Sequence, residues 1–290
     1  MDALSLLLLL SSILLSSGRN LLSKNISDAP FGTRGFFLCQ SLIFGSGSIT
    51  LLPLAMSSLL SPSVTTLLLA FIYSVLLIVA QWFYTLALSR GKVGISATVY
   101  SLGFVLPTLS GVLFFDESLG VVNALGIAAV LPTVIISGLK PRKMVENKDN
   151  GTYIAPLIAA MLASGGLGIV QKVQQSSAAA AERDVFLFLA FSISALISLA
   201  AYLAAKKSDT ALIPRKGLFA ALIGICFALC NILNTTLAGR LPSAVFFPLL
   251  NVGSILFSLA LGIVLYREKV TRRDAVILAL GALAIVLINL

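Results

Sequence analysis

The side chains that could do chemistry in this chain are few. There is no histidine, and only eleven carboxylates stand among 290 residues. Asp2, Asp28, Asp116, Glu117, Glu146, Asp149, Glu182, Asp184, Asp209, Glu268 and Asp274 all fall at the ends of apolar runs or between them. Without His the commonest general base and metal ligand are missing. Intramembrane aspartyl chemistry needs two Asp inside apolar runs, and there are none. Cys39, Cys226 and Cys230 lie in apolar runs, the last two four apart on one helix face. Small packing residues account for them better than a metal site. The chain reads as neither an enzyme nor the carrier of a metal or cofactor.

What remains is polar and aromatic groups embedded in apolar sequence. The stretch AQWFYT supplies Gln81, Trp82 and Tyr84, and Tyr100, Asn231, Asn234 and Asn251 follow in later runs. Gln81 and Tyr84 are three apart, as are Asn231 and Asn234, so each pair shares a helix face. An amide left alone in hydrocarbon costs several kcal/mol, so these groups must face the protein interior or a wet cavity. Two readings stand: the set lines a cavity for a small organic solute, or it hydrogen-bonds helices to one another. Trp82 can stack on a ring or cation, or anchor at a membrane interface. Arg19, Lys24 and Lys172 close apolar runs. They either snorkel to the interface or form a positive cavity mouth that attracts a carboxylate-bearing solute.

These residues need helices to hold them. The chain is 58% hydrophobic and 11% charged, with mean hydropathy +1.05, where soluble domains carry about 25% charged residues. An integral membrane protein is the class this composition fits. The first apolar run follows only Met1 and Asp2, with no basic leader, and reads as a retained helix rather than a signal peptide. A spanning helix needs about 20 mostly apolar residues. Ten such runs occur, near 3–24, 34–57, 64–88, 93–115, 119–139, 153–175, 184–205, 216–238, 243–266 and 274–290. The long polar linker, 140–152, divides the chain into residues 1–139 and 153–290. The predicted fold is an all-α polytopic membrane protein of two five-helix halves.

The halves repeat. An offset of 151 places LSGVLFFDESL (109–119) on ALGIVLYREKV (260–270), matching Gly111 with Gly262 and Glu117 with Glu268. The same offset matches Tyr100 with Asn251 and Tyr84 with Thr235. An offset of 148 matches Lys24 with Lys172, whereas Arg19 meets Leu167 and has no basic counterpart. Because five is odd, the second half must enter the membrane inverted, the plan of secondary transporters with a mid-membrane site. Of the 20 basic residues, all but Lys172, Arg183 and Arg240 fall on one predicted face. The positive-inside rule makes that face cytoplasmic and puts both termini on the other side. The residues Gly45, Gly47, Gly103, Gly165, Gly166, Gly168, Gly253 and Gly262 read as close-packing positions, and Pro53, Pro107 and Pro248 as kink sites.

The two repeat ends, GVLFFDESLGVVNALGIAAVL and GIVLYREKVTRRDAVILALGALAIVL, resemble the drug/metabolite transporter superfamily, specifically its ten-helix EamA-type members. Their Glu between the last two helices of each half, and Lys24 late in the first helix, carry the resemblance. It implies export or exchange of small metabolites or drug-like solutes through a central cavity, and both termini in the cytoplasm, opposite to the charge count. The expected function is a secondary transporter or exchanger of a small organic solute working by alternating access. With no carboxylate near a helix centre, a uniporter or exchanger fits, or proton coupling through Lys24 or Lys172. The alternatives are a flippase for a lipid-linked head group and a non-transporting membrane interaction subunit. Expected partners are the solute and the lipid bilayer, with no nucleic acid. A multi-pass monomer in a prokaryotic plasma membrane is expected.

Overall fold

The computed structural model describes residues 1–27, 33–56, 59–90, 99–118, 120–138, 154–205, 214–266 and 272–289. Among them the regular structure is helical. The α-helices are α1 (Ala3–Ser27), α2 (Thr33–Ala55), α3 (Val64–Arg90), α4 (Val105–Phe114) and α5 (Val121–Gly138). They continue with α6 (Ile154–Ser176), α7 (Arg183–Ala204), α8 (Pro214–Arg240), α9 (Ser243–Tyr266) and α10 (Arg272–Asn289). Among the described residues five segments are long and apolar enough to cross a membrane: Thr33–Ala55, Val64–Ala87, Ile154–Ser176, Ala180–Ala204 and Lys216–Arg240. Runs of Leu, Ile and Ala explain the helices, since in lipid every backbone N–H and C=O must be satisfied within its own segment.

The core is mostly apolar, but unlike that of a water-soluble protein the exterior is apolar as well, and several hydroxyls and amides are turned inward. On α1 the exposed positions include Leu7, Leu10 and Leu14, spaced three and four apart, whereas Ser5, Ser12 and Ser17 are buried. Ser74, Thr133, Gln174, Ser194 and Asn231 are likewise inside while Leu68, Phe71 and Phe114 are outside. Apolar side chains facing outward and hydroxyls facing inward suit a hydrocarbon solvent.

The chain forms two compact units. One comprises Met1–Leu7, Val79–Lys172 and Leu237–Leu290; the other comprises Leu8–Ile78 and Val173–Thr236. Each therefore draws on both halves of the sequence. In the first unit α5 packs on α10 and α4 on α9; in the second, α2 packs on α7. Four helices change unit along their length: α1 after Leu7, α3 after Ile78, α6 after Lys172 and α8 after Thr236.

Small residues set the closest crossings. A Cβ on Gly224 of α8 would overlap the Ile43 carbonyl and Ser46 Oγ of α2, and Ser46 Oγ donates to the Ala221 carbonyl at 3.0 Å. In the first unit a Cβ on Gly103 would lie 2.8 Å from the Met161 carbonyl oxygen, and one on Gly168 would lie 2.8 Å from both Pro107 and Phe247. Gly47, Gly103, Gly165 and Gly168 thus occupy close-packing positions, whereas Gly45 faces open space. Just before Pro107 the helix tightens into a 3-10 turn at Leu102–Phe104, where a proline ring would otherwise crowd the carbonyl four residues back.

Candidate functional site

The most elaborate polar arrangement in the first unit centres on Glu117. It lies in the FDES turn after α4, where Phe115 N–H and Glu117 N–H both donate to the Gly111 carbonyl, at 3.2 and 3.1 Å. Asp116 reverses the chain with φ of 52°, a left-handed conformation that Asp tolerates better than most residues. The turn aims the Glu117 carboxylate at the first residue of α9. Ser243 N–H donates to it at 2.6 Å and Ser243 Oγ at 3.3 Å. A carboxylate at a helix N-terminus meets both orphan N–H groups and the positive end of the helix dipole. Lys172, near the end of α6, closes the set with an ion pair at 2.6 Å. Its ammonium also donates to the Leu241 carbonyl at 3.3 Å and lies 5.8 Å from the Phe115 ring centre. The two charged side chains are 10% and 11% exposed. Gly111 makes the room, because a Cβ there would run into the Glu117 carboxylate and come within 2.6 Å of Ser243 Cβ.

This changes the reading of Lys172. It neither snorkels nor offers a free charge: Glu117 compensates it inside the first unit. Sequence reasoning noticed Glu117 only as part of a repeated turn. A stronger signal was available in the Pro-Ser pairs at the starts of α3 and α9. Ser63, after Pro62, also receives a turn carboxylate in the second unit, its N–H and Oγ each donating to Glu182 Oε2 at 2.9 Å.

Five of the expected cavity residues lie in the first unit. Tyr84 and Tyr100 stack with ring centres 4.3 Å apart. Asn251 Nδ2 donates to the Ser101 carbonyl at 3.2 Å, beside Tyr100, while its Oδ1 is buried and has no hydrogen-bond partner. Gln81 and Trp82 are half-buried on α3. The repeat match of Tyr100 with Asn251 thus falls on two residues that the fold brings to one locality.

Asn231 and Asn234 lie in the second unit and do the work of interhelical hydrogen bonds. Tyr73 Oη donates to Asn231 Oδ1 at 2.5 Å, and Asn231 Nδ2 donates to the Phe227 carbonyl at 2.8 Å. Ser12 Oγ donates to Asn234 Oδ1 at 2.5 Å. Arg19 holds its guanidinium carbon 4.6 Å from the Phe227 ring centre. Lys24 is a helical position of α1 whose side chain lies outside the described residues, and Glu268 lies outside them entirely.

No protein-family model and no curated protein matches the chain. Its fold is similar to that of a protein of known crystal structure, with TM-score 0.81 and 16% identity over 99% of this chain and 96% of that chain. At that identity the likeness concerns the fold alone.

Proposed function

We propose that the chain is a secondary transporter or exchanger that moves a small organic solute by alternating access. In this reading it has ten spans arranged as inverted five-helix halves, as in the EamA-type drug/metabolite transporters it resembles. The observation that carries the reading is the pairing of helices. Helix n packs on helix n+5 for α2 with α7, α4 with α9 and α5 with α10, as two halves related by a pseudo-two-fold axis would pack. The four helices that change unit, α1, α3, α6 and α8, are likewise two n and n+5 pairs. Helices shared by two compact bodies are where a rocking motion would bend the chain.

A half-buried side chain on such a helix, three residues past the point where α3 changes unit, tests the idea. In protein lacking Cys39, Cys226 and Cys230, Gln81→Cys should react with a membrane-impermeant thiol reagent from either side of the bilayer. Added solute should shift the ratio of the two rates. No reaction from either side, with full reaction after denaturation, would leave a closed bundle and favour the interaction-subunit reading.

A further inference from the structure

Among the described residues Arg19 is a cation without a countercharge that stands well inside a helix; Arg34 and Arg272, which also form no ion pair, lie at the N-terminal ends of α2 and α10. Asp2 pairs with Arg240, Glu117 with Lys172 and Asp184 with Arg183, whereas Glu182 is held by Ser63. Among the described residues Arg19 forms no ion pair and donates no hydrogen bond; its one recorded contact of this kind is the stack on Phe227. Nor does its ring partner lie near an end of α8. Phe227 is thirteen residues from each end of the 27-residue α8, so the guanidinium sits about 20 Å of helix length from either terminus.

The position is built, not incidental. Along α1 and α8 three contacts run in antiparallel register: Ser12 with Asn234 at 2.5 Å, Ser16 with Cys230 at 3.5 Å, and Arg19 with Phe227 at 4.6 Å. As the α1 number rises by four and three, the α8 number falls by four and three. Beyond Arg19 the ladder turns apolar, with Leu22, Phe219 and Phe227 packed on a core of Cys39, Ile43, Ala220 and Ile223. Phe227 is itself braced, 5.4 Å from Phe191 and 6.3 Å from Phe44. Beside Arg19 there is room, since a Cβ on Gly18 would meet nothing within 4 Å.

An uncompensated charge at mid-helix depth in a membrane protein is costly and marks a ligand or a wet path. The stack covers one face of the guanidinium and leaves its in-plane N–H donors for a partner. Two parallel N–H···O bonds suit a carboxylate, and a single fixed cation balances a single negative charge. We propose that Arg19 on its Phe227 platform binds the carboxylate of a small organic monoanion. Only in calling that carboxylate cargo does this rest on the transport reading.

The test is a thermal-shift series on the full chain in phosphatidylcholine nanodiscs, in buffer free of organic anions. Monocarboxylates from acetate through benzoate and indole-acetate are each compared with their primary amides. At least one carboxylate should stabilise the protein while its amide does not. Arg19→Met, which removes an unpaired charge and should fold, should weaken that carboxylate about 10- to 100-fold. Phe227→Leu should weaken it about 3- to 30-fold. No carboxylate outperforming its amide, or equal stabilisation of Arg19→Met, overturns the site. Stabilisation by phosphatidylglycerol in place of phosphatidylcholine, with no response to soluble carboxylates, overturns it in favour of a lipid head group. Flux in proteoliposomes separates the two proposals. Binding without flux refutes transport and leaves the site standing, and carboxylate flux unchanged in Arg19→Met refutes the site and leaves transport standing.

Discussion

Removing the charge of Glu117 should expose how the Lys172 pair is built. Both side chains are about one-tenth exposed and 2.6 Å apart, so solvent screens the pair little. Breaking such a pair from one side costs about 3–5 kcal/mol, because the survivor is left uncompensated. Glu117→Gln keeps a carbonyl oxygen for Ser243 N–H, and Lys172 keeps the Leu241 carbonyl at 3.3 Å, so the low end, about 3 kcal/mol, is expected. Lys172→Met leaves a carboxylate still held by Ser243 N–H and Oγ at the start of α9. That helix terminus offsets up to about 2 kcal/mol, so the net loss should be about 2 kcal/mol. The double variant strands neither charge and should lose only about 1–2 kcal/mol, giving a coupling of about 3–4 kcal/mol. Reversible unfolding of the four proteins in bicelles measures the cycle. Single-variant losses below about 1 kcal/mol each, adding without coupling, would refute the claim that the pair is a buried, mutually dependent unit.

Two further outcomes follow from the packing. Gly224→Ala must push on the Ile43 carbonyl and Ser46 Oγ and should destabilise by about 1–3 kcal/mol, whereas Gly45→Ala meets nothing within 4 Å and should be neutral or stabilising by up to about 1 kcal/mol. The same unfolding assay reads both, and equal effects would contradict the crossing described. Tyr73→Phe keeps the ring against Phe186, 5.2 Å away, but removes the donor to Asn231 Oδ1. It should cost about 1–2 kcal/mol, and no measurable change would mean that bond is not formed in the membrane.

The helices were legible because lipid leaves few choices. Apolar runs of spanning length must be helical, and segments expected at 64–88 and 216–238 appear as Val64–Arg90 and Pro214–Arg240. Which face of each helix turns inward was harder to read, because nearly every position is apolar and amphipathic contrast is weak. The serines of α1 carried that information: Ser12 and Ser16 mark its inner face. The candidate polar residues could be picked out by type, but their partners could not. Asn231 and Lys172 both looked available for a solute, and each is engaged by a partner distant in sequence, Tyr73 and Glu117. No local pattern announces such a partner; it is set by which helices pack together. Arg19 kept its open reading because none of the described residues neutralises it, and the depth of its head group came from its ring partner on α8, not from its own place in α1. The 3-10 turn before Pro107 was foreshadowed by the proline, though a kink and a local tightening read alike in sequence.

The central claim is that a solute crosses by exchange between two states of one site. Counterflow tests it most directly. Proteoliposomes loaded with an unlabelled monocarboxylate that stabilises the protein are diluted into trace amounts of the same labelled compound. Alternating access predicts a transient internal accumulation of label above its equilibrium level, absent from protein-free vesicles. Label that only equilibrates, at the rate of empty vesicles, would contradict it.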